Sequence, residues 1–202
     1  NREAADGENR FVFSCKNTGR ICLFTDTGTL HTIKAMDVPF GKFRDKGVPL
    51  DNISNYDSAT EQIVYAADQR ELHLRRVAFV TKLAMVKIVD GGEFDVAKRM
   101  VAATKLQEGD AVIDVTTLRE QRDIVLQTSG GYFLKFSLEE VPEKKKNALG
   151  VRGMKLGEGD LVEAVYYTDA GTEHMIPYKS KSLDLQKMKT GKRDTRGTKV
   201  RA

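Results

Sequence analysis

"MKLGEGDLVEAV", residues 154–165, has a near-copy in "TKLQEGDAVIDV", residues 104–115, with Lys, Leu, Glu, Gly, Asp and two Val in the same places. A chain that spells one turn twice at a fixed interval is built from repeats, and overlooking a repeat misassigns the whole fold. "EGD" stands at 108–110 and 158–160, and "DGE" at 6–8. A second correspondence joins "FTDTGTLHTIKAMDVP" (24–39) to "QTSGGYFLKFSLEEVP" (127–142), which share Thr, Gly and Val-Pro. Both then reach a Gly-Val pair, Gly47-Val48 and Gly150-Val151. The intermediate copy is "VTKLAMVKIVDGGEFDV" (80–96), with Ala84 where the others carry Gly. "PYKSKSLDLQKMKTGKRDTRGTKV" (177–200) is a weaker fourth copy. Four units of about 45 to 55 residues therefore fill one domain over 1–202, with approximate repeats 1–57, 58–107, 108–157 and 158–202.

Each unit reads as strand, turn, strand. "VFSCKNTGRICLFTDTGTLHTI" alternates short runs of Val, Ile, Phe, Leu and Thr with Asn, Asp and Gly, which is hairpin chemistry. "LVEAVYY" and "DIVLQT" are almost continuously apolar, as strands covered on both faces are. "SATEQIVYAADQRELHLRR" (58–76) is the best rival for a helix, and its place in the repeat makes it strand plus loop. "DGGEF" and "SGGY" read as hairpin turns. Four-stranded units at this period point to an all-β, propeller-like disc. The acidic turn recurs once per blade, which keeps its carboxylates apart and makes it structural.

The chain has 202 residues, no Trp, and Cys15 and Cys22 as its only cysteines. Two cysteines make neither a disulfide framework nor a zinc site; they read as reduced strand residues, neighbours across a hairpin, in a cytoplasmic protein. No apolar run approaches the ~18 residues of a membrane span. His31, His73 and His174 are dispersed, and no GxxxxGK[ST] or GxGxxG occurs. No metal, cofactor or nucleophile–base set is expected.

The net charge is +4, but from His174 to Ala202 nine Lys or Arg face only Asp184 and Asp194. The clearer signal is one loop that is basic in every unit. It holds Lys42, Arg44 and Lys46 in "GKFRDKG", Lys98 and Arg99 in "AKRM", and Lys144, Lys145, Lys146 and Arg152 in "EKKKNALGVRG". In "KMKTGKRDTRG" it holds Lys187, Lys189, Lys192, Arg193 and Arg196. Around an axis, equivalent loops recur at similar radius and height, so their charges form a belt. Duplex DNA carries one negative charge per ~1.7 Å of axis, and neutralising phosphates releases counterions. With no base-reading helix in view, binding should depend little on sequence. A propeller-like protein-interaction scaffold with merely solubilising loops is the alternative, and a propeller enzyme a third.

"FTDTG…DVP…KGVPL" and "TSGGYFLKF…GVRGMKLGEGD" resemble the C-terminal domain of the A subunit of DNA gyrase and topoisomerase IV, over essentially the whole chain. The resemblance implies a β-pinwheel whose blades lend strands to neighbours, and which binds and bends duplex DNA around a basic rim. It also implies a location in the cytoplasm at the nucleoid, and as partners the ATPase B subunit together with the catalytic domains of the same A subunit. The catalytic tyrosine, metal site and ATPase of the family lie in those other parts. Two departures stand out. The Gln-Arg-Arg-Gly-Gly type box of gyrase is absent; "KTGKRDTRG" lacks its Gln and double Gly. Four units also fall short of the usual six blades of gyrase, so an open or partial disc is expected, slightly closer to topoisomerase IV.

Overall fold

The computed structural model describes Gly7 and residues 9–201; Asp6 and Glu8 of the "DGE" stretch lie outside them. β1 (Arg20–Thr25) and β2 (Thr29–Lys34) form a hairpin, and β3 (Ile63–Asp68) returns to the free side of β1. After a short helix α1 (Gln69–His73) the second hairpin follows, β4 (Arg76–Thr81) and β5 (Met85–Asp90). The chain then crosses backwards: β6 (Met100–Ala102) pairs with β2 of the first sheet before β7 (Val112–Leu118) returns to β4. The third hairpin, β8 (Asp123–Thr128) and β9 (Tyr132–Ser137), repeats the pattern, with β10 (Val151–Arg152) lent to β5 and β11 (Val162–Thr168) paired with β8. A fourth hairpin, β12 (Met175–Tyr178) and β13 (Lys181–Asp184), stands as a two-stranded sheet. Beyond it, β14 (Thr190–Gly191) and β15 (Thr198–Lys199) are lent to β9. The protein is all-β, an open propeller-like array in which each full sheet combines strands from two successive stretches of sequence.

The order within a full sheet is return strand, hairpin, lent strand. β3 and β11 both flank β7, so the return strands make the inner edge and the lent strands the outer one. Tyrosines stitch the inner edge: Tyr65 Oη lies 2.8 Å from Thr117 Oγ1, and Tyr167 donates to Asp114 at 2.7 Å. Apolar layers fill the spaces between sheets. Phe24, Phe79 and Phe94 lie between the first and second, with centroids 5.1 to 5.8 Å apart. Ile88, Leu126, Phe136 and Met154 lie between the second and third. Val125, Phe133 and Leu185 meet the fourth hairpin. The lent strands come very close: a Cβ on Gly150 would lie 2.6 Å from the Val86 carbonyl oxygen. The Gly150-Val151 pair thus follows from the crossing, Gly150 for approach and Val151 for pairing with Val86.

Hairpin tips follow the repeat. The last loop residue has positive φ in each of the first three, 78° at Gly28, 65° at Ala84 and 85° at Gly131. Ala84 adopts a region that favours glycine, and its methyl is buried between the second and third sheets. The repeated acidic turn clamps these tips. Asp110 accepts from the amides of Leu83 and Ala111 at 3.0 and 2.8 Å. Asp160 accepts from Ser129 Oγ and from the amides of Gly130 and Leu161 at 2.8 to 3.0 Å. Charge-assisted bonds of this kind contribute more than neutral ones. Asp160→Ala should therefore cost about 2 kcal/mol of stability, and Glu158→Ala, on the exposed side of the turn, under about 0.5 kcal/mol. Chemical denaturation would measure both; equal losses would deny the clamp.

The far face of the first hairpin is closed by its own loop. His31 Nε2 lies 3.0 Å from both carboxylate oxygens of Glu61, and the Tyr56 ring stands edge-on to the imidazole. Thr25 and Thr27 donate to Glu61 at 2.8 and 3.1 Å. Burial alone would raise the pKa of Glu61, but the bonds from His31, Thr25 and the Asp57 amide outweigh it and bring the carboxyl below its ordinary value. A depressed acid stabilises the fold above its unfolded pKa, and that contribution is lost as pH falls through the folded value. Melting temperatures followed from pH 7 down to 3 should show an acid loss of stability that Glu61→Gln lacks; identical profiles would refute this.

Three expectations are corrected. Residues 58–76 hold the strand β3 but then the helix α1, capped by Asp68 accepting from the Arg70 amide at 3.2 Å. "DGGEF" is a 3-10 turn, Gly91–Phe94, that ends β5 rather than joining a hairpin, because the chain leaves there for the preceding sheet. The cysteines are free but not hairpin partners: Cys22 pairs with Thr32, while Cys15 precedes β1 and its thiol donates to Asp68 at 3.5 Å.

Candidate nucleic-acid interface

All four basic groups lie on the segment that leaves the second hairpin strand, the one that crosses to the outer edge of the preceding sheet in the second, third and fourth units. In the second unit Thr32 of β2 donates through its amide to the Arg99 carbonyl at 2.9 Å and through Oγ1 to the Lys98 carbonyl at 2.8 Å. The backbone is thereby fastened while both side chains stay exposed. In the third unit the Ile88 amide donates to Pro142 at 3.1 Å and the Lys144 amide to Ile88 at 2.8 Å. Lys145 is exposed there, and Lys144 and Lys146 half-buried. In the fourth, Thr190 and Gly191 run parallel to Lys135 and Phe136, with Lys187, Lys189 and Lys192 exposed around them.

The first unit differs because its segment crosses onto nothing described. Lys42, Arg44 and Lys46 lie in an exposed loop turned by Asp45, which accepts from the Lys42 amide at 2.7 Å. Phe40 and Phe43 stand among them, 95% and 81% exposed.

Not every predicted cation is free. Arg152 and Asp194 form a two-pronged ion pair that joins the third and fourth segments. The hydrogen bond from Arg152 holds Asp194 below the usual carboxylate range, and Asp194 raises Arg152 in turn. Arg193 donates to the Arg152 carbonyl at 2.8 Å, and Arg196 stacks over Tyr132 at 4.6 Å. The sequence offered no signal for these pairings, which join residues some 40 to 64 positions apart.

Two further lysines were missed because they lie inside strands. Lys87 of β5 donates to the carbonyls of Lys145, Lys146 and Ala148 at 2.9 to 3.0 Å. Lys135 of β9 donates to those of Leu185 and Gln186 at 3.1 and 3.0 Å. The signal was one Lys within an apolar run, "MVKIV" and "FLKF". Among the described residues no three His, Cys, Asp or Glu side chains gather closely enough to hold a metal ion, and no helix is long and apolar enough to cross a membrane.

Solved structures with this architecture include the C-terminal domain of DNA topoisomerase IV, with TM-score 0.83, 23% identity, and coverage of 98% of this chain and 66% of that one. The E. coli ParC C-terminal domain superposes with TM-score 0.75 at 17% identity, covering 92% and 78%. The A subunit of DNA topoisomerase 4 from Streptococcus pneumoniae serotype 4 is 26% identical over 94% of this chain and 24% of its own length. The A subunit of DNA gyrase from Lawsonia intracellularis is 32% identical over 71% and 18%, and that from Helicobacter pylori 31% over 82% and 20%. The chain thus spans about a quarter or less of these relatives. Residues 75–119 and 122–169, which hold the second and third hairpins with their return strands, match the family described as the DNA gyrase C-terminal domain, beta-propeller, and it is to this family that the chain belongs.

Proposed function

We propose that this chain is the non-catalytic part of a type II topoisomerase A subunit that binds duplex DNA, bends it around a basic rim and presents it to the catalytic core. The observation that carries the reading is that all four basic groups occupy one step of the repeat, which is the outer-edge crossing wherever a preceding sheet is described. Cations repeated at one radius can follow a curved phosphate backbone. Bending costs on the order of 1 to 6 kcal/mol over a few helical turns and is offset by added phosphate contacts. Of the fourteen candidates Lys42 to Arg196 named above, the lysines with Arg44 and Arg99 carry most of this contact, and Arg152, Arg193 and Arg196, already engaged with Asp194, the Arg152 carbonyl and Tyr132, carry less. A topoisomerase IV type is favoured, since the alignment to the topoisomerase 4 relative spans 94% of the chain and those to the two gyrase relatives 71% and 82%. The ATP-dependent chemistry then belongs to the ATPase B subunit together with the remainder of the A subunit, in the cytoplasm at the nucleoid.

The test is fluorescence anisotropy of this chain with a linear duplex of about 40 base pairs at several salt concentrations. Binding should fall steeply with salt, by ~0.9 in log K per log salt for each phosphate neutralised, and alike for unrelated duplexes. Absence of binding at low salt would reject the proposal. A second reading, a protein-interaction scaffold, draws on exposed Phe40, Phe43 and Met36; it predicts no salt-sensitive DNA binding.

A further inference from the structure

Each basic segment that crosses a sheet is fastened from beneath by a polar side chain on the strand it meets: Thr32, Lys87 and Lys135. Lys87 is the extreme case. Only 1% of it is exposed, and its three N–H groups serve the carbonyls of Lys145, Lys146 and Ala148, which exhausts an ammonium's donors. Burying a charge is costly unless every donor is met. The fold does not demand one here. The equivalent register positions, three residues beyond each tip residue on the second hairpin strand, hold His31 opposite Leu23 and Leu134 opposite Leu126, as Lys87 stands opposite Phe79. A lysine at this place therefore answers to the loop above it.

We propose that Lys87 is a positioning residue for DNA binding, whose ammonium gathers the carbonyls of residues 145–148 inward so that Lys144, Lys145 and Lys146 present their charges together. The proposal rests on the DNA-binding reading above and adds what shapes the loop with three consecutive lysines. Three backbone contacts complete the arrangement. The Ala148 amide closes the turn on the Lys145 carbonyl at 3.1 Å, the Lys146 amide donates to Glu93 at 3.1 Å, and the Lys105 amide reaches the Ala148 carbonyl at 3.3 Å. The charged groups facing the ammonium are Glu93 from the turn after β5 and Lys144 from the loop, with Lys105 and Asp110 lining the same small cavity. Burial pushes Lys87 down to about 8, Lys144 adds to this, and Glu93 opposes it. Its third donor is thus lost at a pH where exposed lysines remain charged.

Lys87→Met tests the idea, since Met fills similar space without donors. Two readouts are needed at neutral pH: amide hydrogen exchange of the free protein, and duplex affinity against salt. The amides of Lys146 and Ala148 should exchange at least about tenfold faster in the variant, with those of β8 and β9 unchanged. Affinity should fall about tenfold, 1.4 kcal/mol, with the salt slope kept because no phosphate-facing charge is removed. Wild-type affinity should fall in the same way between pH 7 and 9, and the variant's should not. Loss of the fold cannot imitate this. A folded pKa below the ordinary 10.5 means that the unfolded chain binds more protons from about pH 8 to 10.5, so Lys87's contribution to stability rises there. Unchanged exchange and affinity would overturn the proposal, as would faster exchange throughout the protein. Faster loop exchange in the variant, alongside a wild-type protein that binds no DNA, would overturn it too and would place the fault in the DNA-binding reading.

Discussion

Replacing Lys144, Lys145 and Lys146 together by Ala is expected to weaken duplex binding roughly 10- to 100-fold and to flatten the salt dependence by about 2 to 3 in slope. The loop should survive the change. Its shape comes from backbone groups, the Lys144 amide on Ile88, the Lys146 amide on Glu93 and three carbonyls on Lys87, none of which needs the three outer ammonium groups. The loss should be alike on unrelated duplexes, because phosphate contacts position the DNA without reading it. Arg152→Ala supplies the contrast. Its guanidinium is already paired with Asp194, so it has less counterion release to offer, and the slope should change less than for Lys145→Ala. Anisotropy at four or five salt concentrations reads both. An unchanged affinity in the triple variant would move the contact to another segment.

How far the sequence reached depended on whether the interaction was local. A hairpin tip is decided within a few residues, so Gly28, Gly131 and even the deviant Ala84 were legible, and all three have positive φ. The acidic turn was recognisable as structural for the same reason, although that Asp160 reaches back to Ser129 and Gly130 was not. Strand lending is non-local. Val151 pairs with Val86 and Thr198 with Phe133, and no local pattern distinguishes a lent strand of two or three residues from a loop. It entered only through the resemblance. The candidate site shows the same division. Counting Lys and Arg found the segment, but burial sorts the cations by role. Lys87 and Lys135 face carbonyls, Arg152 faces Asp194, and Lys145 faces solvent. The clue to the buried pair was a charge inside an apolar strand, which propensity scales penalise and which a turn of carbonyls repays.

The crossing segments hold two tasks at once, since they close the outer edge of one sheet and carry the cations. The basic surface is therefore no stiffer than the contact between adjacent sheets, and a change that loosens that contact should alter how DNA is held even with every Lys and Arg in place. Ile88, Phe136 and Met154 are buried in that contact between the second and third sheets. Their large-to-small replacement typically costs about 2 to 5 kcal/mol.

Gly91→Ala is expected to have the largest effect of any single methyl added to this chain, at least about 4 kcal/mol. A Cβ at Gly91 would stand 1.6 Å from the Leu72 carbonyl oxygen and 2.5 Å from that of Arg75, both backbone atoms that no rotamer can move aside. The demand for glycine is not set by the repeat. The bond that starts this turn, Gly91 amide to Arg75 carbonyl at 2.8 Å, recurs at Ala35, Leu138 and Leu185, three residues that carry side chains. The second unit differs because α1 precedes it. Leu72, fully buried, fills the layer between the first and second sheets, as Leu138 and Leu185 fill the layers between later ones. The helix supplies from one side of the chain the apolar group that the turn supplies elsewhere, and its backbone occupies the space. Accommodating even Ala then requires α1 to lift away and Leu72 to leave the core. Thermal melts followed by circular dichroism would decide it. Loss of the transition is expected; a melting temperature within a few degrees of wild type would mean that α1 swings clear at little cost, and that Leu72 is not the group holding the first two sheets together.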